Sequence, residues 1–408
     1  MLQLGDNLTQ SIGSLRAYRL RAWLTILGLT MGVATIITVM TIIQGANVYV
    51  EEKIANLGAN VFQISRLPQA VTDFMLILKA MKNKHITLED MAAVQRNCRN
   101  CLLVGARASH STRVRHADRE LTDTNIIGQT ATMAEIDTRT ILAGRIFTPS
   151  ESQRNSQVCL IGSKLVEELF PGQEPLGQTI RIGVHEFLVI GSYEKVGSVL
   201  GMEQDNFLTM PMGAYRKIRG SRISVIIEGK AIAPGNSFDQ AQDEARLALR
   251  AHRRLLPGME DDFFISTAAS YIALWQSISS AFFAMFTMVS AISAVVGGIV
   301  IMNVMLVSVT ERTKEIGIRR AVGATQADIR RQFISESLVQ CVIGGAIGIL
   351  AGFAAALLLR TFTDFPASVH PAVAIFGFGL SAGIGLFFGI YPATRAAKLD
   401  PVAALRAE

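Results

Sequence analysis

The chain has 408 residues, of which 50% are hydrophobic and only 18% charged, with a formal net charge of +6. Soluble proteins carry about a quarter charged residues. Because the deficit is confined to a few apolar runs, the composition argues against a wholly soluble protein and predicts a membrane protein with one large water-facing region. Many of the cations lie beside the apolar runs, where they indicate membrane topology before nucleic-acid binding. Four cysteines do not form a disulfide-dense scaffold.

The N-terminal segment, residues 1–21, carries three cations ahead of an apolar run: Arg16, Arg19 and Arg21. This order resembles a signal peptide, but the apolar run is long and no small-residue cleavage site follows it. We therefore expect a retained anchor. Residues 22–43 are long enough to cross a bilayer, and the helical periodicity continues to Gly58, a predicted helix stop. Residues 22–58 are predicted to form a first transmembrane helix with a stalk.

Residues 59–270 alternate strand-like and helix-like patterns. Strands are predicted over VFQISR, QVCLIG and RISVIIEG, and TIRIGVHEFLVIGSY is typical of a hairpin that turns near Gly183. Thr87 opens a capping box with Asp90. Ser163 and Ser237 open two further predicted helices, the second ending around Arg254. This mixture predicts an α+β domain inserted after the first transmembrane helix.

No enzyme signature stands out in this domain. Cys98 and Cys101 form a lone CxxC, and without a second pair a metal site lacks ligands. We favour a local disulfide in an oxidising compartment, with unpaired thiols and a redox-active site as alternatives. The histidines show no ligand spacing and are interpreted as surface or packing residues: His85, His110, His116, His185, His252 and His370.

Three further membrane spans are predicted towards the C-terminus. Residues 271–309 combine a stalk with the second span. The 38 residues 272–309 would form a helix of about 57 Å, which exceeds the bilayer, so we expect it to project as a stalk or to break near Gly297–Gly298. The third span is 333–359 and the fourth is 372–391. They are separated by the loop 310–332 and the short loop 360–371, and residues 392–408 form the tail.

The cations around the spans predict the orientation. Residues 1–21, 310–332 and 393–408 together hold twelve Lys and Arg, whereas the loop 360–371 holds only Arg360. Because cations favour the cytoplasmic side, both termini and the loop 310–332 are predicted to be cytoplasmic, and residues 59–270 extracytoplasmic. No charged residue occupies the middle of a span, which argues against a buried ion or proton relay.

Glycines recur at four-residue spacing within the spans. They are Gly28, Gly32, Gly344, Gly348, Gly352, Gly379, Gly383, Gly385 and Gly389. Small residues at this spacing let helix backbones approach closely in lipid, so the pattern predicts packing within the bundle or across a dimer. The alternative is that glycine is simply common in transmembrane helices.

The loop between the second and third spans reads ERTKEIGIRRAVGAT over residues 311–325. As a helix it places Ile318 and Val322 on one face and a Glu315–Arg319 pair on the other. Gly323 is a predicted stop, and Thr325 begins a capping box for the next helix. Two interpretations remain open: an interfacial helix on lipid phosphates, or a helix that docks into a cytoplasmic partner through Ile318 and Val322. No Walker A motif is found, so ATP is expected to be hydrolysed by another chain.

The motifs ERTKEIGIRRAVGAT, FISES and YPATRAAKLDPVAALRAE resemble the FtsX-like permease domain of MacB-type ABC transporters. LRAWLTILGLTMGVA resembles the family's first span, and VCLIGSKLVEELFPGQEPLGQTIRIGVHEFLVIG is similar to its periplasmic core domain. The resemblance covers almost the whole chain and is weakest over residues 66–158, where we expect the specificity for substrate or partner to lie.

The resemblance implies a homodimer or heterodimer of four-span subunits with a separate ABC ATPase, since the first span begins about twenty residues into this sequence, whereas MacB carries its ATPase ahead of that span. It implies mechanotransmission, in which ATPase dimerisation moves stalk helices and the external domain. It also implies a coupling helix made of Glu311, Arg312, Lys314, Glu315, Ile316, Gly317, Ile318, Arg319, Arg320, Ala321, Val322 and Gly323.

We expect an exporter permease in the bacterial inner membrane, with peptides, drugs or lipoproteins as cargo and a periplasmic adaptor as a candidate partner. No cofactor is expected in this chain, because ATP and Mg²⁺ would bind the partner ATPase. The competing hypothesis is FtsX-like signalling that activates an external cell-wall hydrolase. A membrane-anchored enzyme is disfavoured because no catalytic constellation is present.

Overall fold

The computed structural model describes residues 19–55, 60–199, 202–363 and 371–406. Three predicted features fall partly outside this range: the N-terminal segment up to residue 18, the end of the first stalk at Gly58, and most of the loop 360–371. The chain divides into two compact units. We call residues 50–276 the α+β domain, and residues 1–49 with 277–408 the membrane unit.

Four of the described helices are long and apolar enough to cross a membrane. They are α1 (Arg19–Ala55), α9 (Ala268–Glu311), α11 (Gln326–Thr363) and α12 (Pro371–Ala397). Each helix extends beyond the corresponding predicted span, because helical hydrogen bonding continues into polar flanks that a hydropathy pattern leaves out. Two short helices complete the unit, α10 (Thr313–Ala321) and α13 (Pro401–Arg406).

Of the two alternatives predicted for the second membrane helix, a projecting stalk or a break near Gly297–Gly298, the break is wrong. Helix α9 runs unbroken through Gly297 and Gly298, both of which are buried. A Cβ atom at Gly298 would overlap the ring of Phe388 in α12. These glycines therefore make room for a neighbouring helix, and tertiary packing overrides their weak helix propensity.

The α+β domain is built on a mixed sheet in the order β12-β1-β11-β2-β3-β10-β5-β7-β4, with β6 beside β2 and β7. The strands are β1 (Val61–Ser65), β2 (Cys101–His116), β3 (Arg119–Gln129), β4 (Ile141–Gly144), β5 (Val158–Ile161), β6 (Thr179–Ile182), β7 (His185–Tyr193), β8 (Ser198–Val199), β9 (Met202–Glu203), β10 (Phe207–Pro211), β11 (Ile226–Ala231) and β12 (Phe264–Thr267). The pair β8–β9 forms a separate small sheet.

The helices of this domain are α2 (Phe74–Ala80), α3 (Leu88–Asn97), α4 (Met133–Ile136), α5 (Pro149–Gln153), α6 (Ser163–Leu169), α7 (Met212–Arg219) and α8 (Asn236–His252). Their main core includes Phe62, Ile227, Ala106 and Leu249, which join the sheet to α3 and α8. The opposite face of the sheet carries smaller clusters around Val61 and around Leu160.

Local signals in the sequence set several of these elements. Thr87 forms the predicted capping box, with its backbone N–H donating to Asp90 Oδ2 at 2.9 Å. Gly183 turns the predicted β6–β7 hairpin with φ of +60°, a conformation that favours glycine. The prediction that Ser237 caps α8 is wrong, because Gly235 is the N-cap residue and no side chain caps this helix.

Candidate functional site

The loop between α9 and α11 folds into a short helix held between two turns. Arg312 interrupts the helical backbone with φ of −101° and ψ of 17°, and α10 follows at Thr313. At its other end Gly323 has φ of +106°, a conformation that costs other residues free energy. The Thr325 N–H then donates to Asp328 Oδ2 at 3.0 Å and the Asp328 N–H to Thr325 Oγ1 at 3.2 Å. This capping box starts α11.

One side of α10 is buried in the membrane unit. Ile316 is only 3% exposed and belongs to an apolar cluster with residues of α9, α11 and α12. The cluster includes Val309, Ile329, Phe333 and Ala396. Burying an isoleucine side chain of this kind contributes about 1.5–3 kcal/mol, so α10 is fixed by packing rather than tethered loosely.

Polar contacts tie α10 to the first turns of α11. Arg312 pairs with Glu336 at 3.4 Å, and the carboxylate of Glu336 is buried. Arg319 donates to Gln332 Oε1 at 2.7 Å and to Glu315 Oε1 at 2.6 Å. Because a buried carboxylate is costly without a cation, these contacts hold α10 in one orientation against α11.

The C-terminal helix α13 packs against α10. Ala404 is buried, whereas Val402 is exposed. Asp400 precedes the helix and accepts the Val402 N–H on Oδ1 at 3.2 Å. Helix α10 is thus supported by α11 and α13 as well as by the apolar cluster.

The outer side of α10 and the C-cap residue that follows it present two large apolar side chains one turn apart. Ile318 is 54% exposed and Val322 is 83% exposed. Ala321 beside them is exposed as well, and so is the cation of Lys314. A scattered exposed apolar residue needs no explanation, but a pair at i and i+4 on a rigidly supported helix forms a small ridge of the kind that fits a groove.

The predicted coupling residues do not all lie in one helix; they are divided among the end of α9, α10 and the turns on either side of α10. Glu311 ends α9, Arg312 lies at the turn, and Val322 and Gly323 follow α10. Glu336 and Gln332 were not predicted as site residues. Glu336 is separated from Arg312 by 24 positions, and no local pattern in the sequence links the two.

The predicted packing glycines fall into two groups. A Cβ atom at Gly348 or Gly352 would lie within 3 Å of side chains of α1, and Gly344 accepts a hydrogen bond from Thr30. Gly28 and Gly32 face α9 at distances of 3.7 and 3.8 Å. Around Gly379 and Gly383 no described atom lies within 4 Å of such a Cβ. For these two, packing against a second chain stays a prediction.

Two further glycines lie close to side chains of α12, although the four-residue spacing did not single them out: Gly345 and Gly298. A Cβ atom at Gly345 would meet the hydroxyl of Ser381 in α12. The sequence pattern did not predict this packing role for either glycine, because the partner side chain decides which glycine is needed.

Cys98 and Cys101 are joined in a disulfide at the start of β2, with Cα atoms 5.4 Å apart. The Glu244 carboxylate of α8 accepts the backbone N–H groups of Asn100 at 2.9 Å and Arg99 at 2.7 Å. These bonds, chiefly that from Asn100, lower the pKa of Glu244. In contrast, burial raises the pKa of the Cys159 thiol. The described residues contain no cluster of His, Cys, Asp and Glu that could hold a metal ion.

Two family models match the chain. The MacB-like periplasmic core domain covers residues 22–248, and the FtsX-like permease C-terminal domain covers residues 287–401. The macrolide export ATP-binding/permease protein MacB of Syntrophobacter fumaroxidans is 31% identical over 98% of this chain, and that of Bdellovibrio bacteriovorus is 32% identical over 99%. The chain spans only 64% and 62% of the length of these two relatives.

A third relative matches along its full length. The uncharacterized ABC transporter permease YknZ of Bacillus subtilis is 30% identical over 100% of both chains. Among solved structures, the periplasmic region of MacB from Actinobacillus actinomycetemcomitans aligns with 56% of this chain and 97% of its own length. That alignment has a TM-score of 0.45 and 21% sequence identity.

The fold and the matches define a membrane protein with four transmembrane helices and a large extracytoplasmic α+β domain inserted between the first and second. The first match ends at residue 248 within the α+β domain, and the second begins at residue 287 within α9, so the two matches together include residues of both units. The chain belongs to the MacB-like, FtsX-type family of ABC transporter permeases.

Proposed function

We propose that this chain is the transmembrane subunit of a MacB-type ABC transporter, in which a partner ATPase drives movement of the extracytoplasmic domain. The relatives named as macrolide exporters support an export role, and we extend it to peptides, drugs or lipoproteins as cargo. In this proposal the chain works as a dimer in the bacterial inner membrane. Both termini and α10 lie in the cytoplasm, as the distribution of cations indicates, and a periplasmic adaptor is a candidate partner.

The observation that carries the proposal is the ridge of Ile318 and Val322 on a helix that the protein holds rigidly. Transmission of force requires a contact point that does not yield. The opposite side of α10 is supported by the burial of Ile316, the Arg312–Glu336 ion pair and the packing of α13. ATP and Mg²⁺ then bind the partner, and this chain converts the partner's closure into movement of its own helices.

The interface is tested by placing carboxylates on the ridge. The double substitution Ile318→Asp with Val322→Asp is expected to reduce co-purification of the ATPase at least tenfold, because two charges would have to enter an apolar groove. ATP hydrolysis by the reconstituted complex should fall in parallel. The measurement is the stoichiometry of ATPase bound to the affinity-purified chain.

A matched control carries the same substitutions elsewhere. Leu142 and Val184 are large, exposed apolar residues of the α+β domain, and replacing both with aspartate should leave ATPase binding unchanged. If the ridge variant retains full binding while remaining folded in the membrane, α10 is not the docking element and the proposed function loses its main support.

A further inference from the structure

A chain of polar contacts connects the first turn of α9 to the sheet of the α+β domain. The hydroxyl of Tyr271 donates to Gln63 Oε1 at 3.2 Å, and Gln63 Nε2 donates to Glu228 Oε1 at 3.1 Å. Arg107 forms an ion pair with the same carboxylate oxygen. The contacts therefore run from α9 through β1 and β11 to β2.

The middle of this series of polar contacts is buried. Gln63 and Glu228 are among the buried polar residues of the domain. They face the side of the sheet where Val61, Leu103, Met133 and Ile136 form an apolar cluster. The Gln63 amide uses its oxygen for Tyr271 and its nitrogen for Glu228, so both of its ends have partners. A buried network with its partners in place specifies one geometry, and removing a partner is costly.

The strand register places these groups in one row. Ser266 of β12 lies opposite Gln63, Gln63 opposite Glu228, and Glu228 opposite Gly105 of β2. A Cβ atom at Gly105 would come within 2.7 Å of Met133 Sδ. Helix α4 therefore packs directly over the end of the row at Gly105.

Helix α9 begins without a connecting loop. Strand β12 ends at Thr267 and α9 starts at Ala268. The Thr267 N–H donates to Ser270 Oγ at 3.2 Å, and the Ser270 N–H donates to Thr267 Oγ1 at 3.3 Å. Tyr271 is the next residue. The first turn of α9 is thus attached to β12 through the backbone and to β1 through the tyrosine hydroxyl.

We propose that Tyr271 is a positioning residue that fixes the first turn of α9 to strands β1 and β11, so that displacement of α9 is carried into the sheet through Gln63 and Glu228. This inference rests on the proposed function, in which α9 moves when ATP binds the partner. Without the hydroxyl, the first turn of α9 would lose its hydrogen bond to β1 and keep its backbone connection to β12, an edge strand that pairs only with β1 among the described strands.

The test uses the full chain with its co-purifying ATPase in lipid nanodiscs. Hydrogen–deuterium exchange of β1 and β11 is compared between the nucleotide-free complex and the complex trapped with ATP and vanadate. We expect the wild type to show a nucleotide-dependent difference in these strands. Tyr271→Phe should reduce that difference at least threefold, while ATPase binding and ATP hydrolysis stay within twofold. Gln63→Met, which breaks the same link from the strand side, should show the same loss.

Tyr193→Phe is the matched control. Its hydroxyl is buried in the same sheet and contacts Thr209 Oγ1 at 3.0 Å, so the same atom is deleted without affecting α9. This variant should keep the full difference. If Tyr271→Phe also keeps it, or if Tyr193→Phe loses it equally, the positioning role is wrong while the proposed function stands. If the wild type with bound ATPase shows no difference, the proposed function fails and this inference fails with it.

Discussion

Within each of the two units, a different kind of contact holds the helices and strands together. In the membrane unit, α11 and α12 meet at small residues, and Ser337 Oγ donates to the Gly385 carbonyl at 3.1 Å. In the α+β domain, large apolar side chains form the core, and ion pairs such as Asp90–Arg253 are buried beside it. Lipid offers no hydrophobic drive between helices, so close backbone approach provides the attraction. In water, burial of apolar surface provides it.

The comparison predicts the largest effect for deletion of a charge from the Asp90–Arg253 pair, in which both partners are buried, whereas in the Arg312–Glu336 pair of the membrane unit the arginine is a quarter exposed. The side chains of Asp90 and Arg253 are each 5% exposed, and Arg253 Nη2 donates to Asp90 Oδ2 at 2.7 Å. Arg253→Ala would leave a buried carboxylate without its cation. We expect a loss of about 3–5 kcal/mol in the free energy of unfolding, measured for this domain by pulse proteolysis in urea.

Arg246→Ala on the same helix is the control for this loss. Arg246 is half exposed and lies 3.4 Å from Asp261, so its removal should cost less than about 1 kcal/mol. Equal losses for the two variants would show that burial of the Asp90–Arg253 pair does not distinguish it from a surface pair.

Steric substitution should be the corresponding weak point of the membrane unit. A Cβ atom at Gly389 would overlap the hydroxyl of Ser337, whereas one at Gly383 meets no described atom within 4 Å. Gly389→Leu is expected to cost about 1–3 kcal/mol through overpacking, seen as a lower midpoint of unfolding in an SDS titration. Gly383→Leu should leave that midpoint unchanged in a single chain. The same shift for both would remove the distinction between the two positions.

The smallest effect is expected at an exposed ion pair of the α+β domain. Arg145 donates to both oxygens of Glu151 at 2.7 and 2.8 Å, and these bonds, with that from the Thr148 N–H, lower the pKa of Glu151 to about 2. An unfolded glutamate has a pKa of about 4.3. The pair therefore stabilises the domain above that pH, and the contribution is lost as the pH falls towards 2.

Removing Arg145 should raise the pKa of Glu151 towards its ordinary value. Arg145→Ala is expected to lose less than about 1 kcal/mol at neutral pH, because the arginine is half exposed. The variant should also lose less additional stability than the wild type between pH 5 and pH 3, as measured by urea midpoints. Arg154→Ala, at an arginine for which the described contacts give no ion pair, should leave the acid dependence unaltered.

The amino-acid sequence by itself determined the features that depend on neighbouring residues. These include the four membrane helices, the capping boxes at Thr87 and Thr325, the Gly183 hairpin and the short helix between α9 and α11. Hydropathy, capping and turn chemistry act within a few residues, so their patterns can be found without knowing the fold. The family resemblance rests on the same motifs.

Only the tertiary structure decided which of these residues have partners. Glu228 meets Gln63 across 165 positions, and Arg312 meets Glu336 across 24. Ile316 is buried, whereas Ile318 two residues later is exposed. Gly298 lies against the ring of Phe388, whereas a Cβ atom at Gly383 would meet no described atom within 4 Å. The sequence shows which side chains can be buried or paired, but the free energy of burial depends on which helix or strand packs against them in the folded protein. For that reason, the attachment of Tyr271 to the sheet could not be predicted from its neighbours.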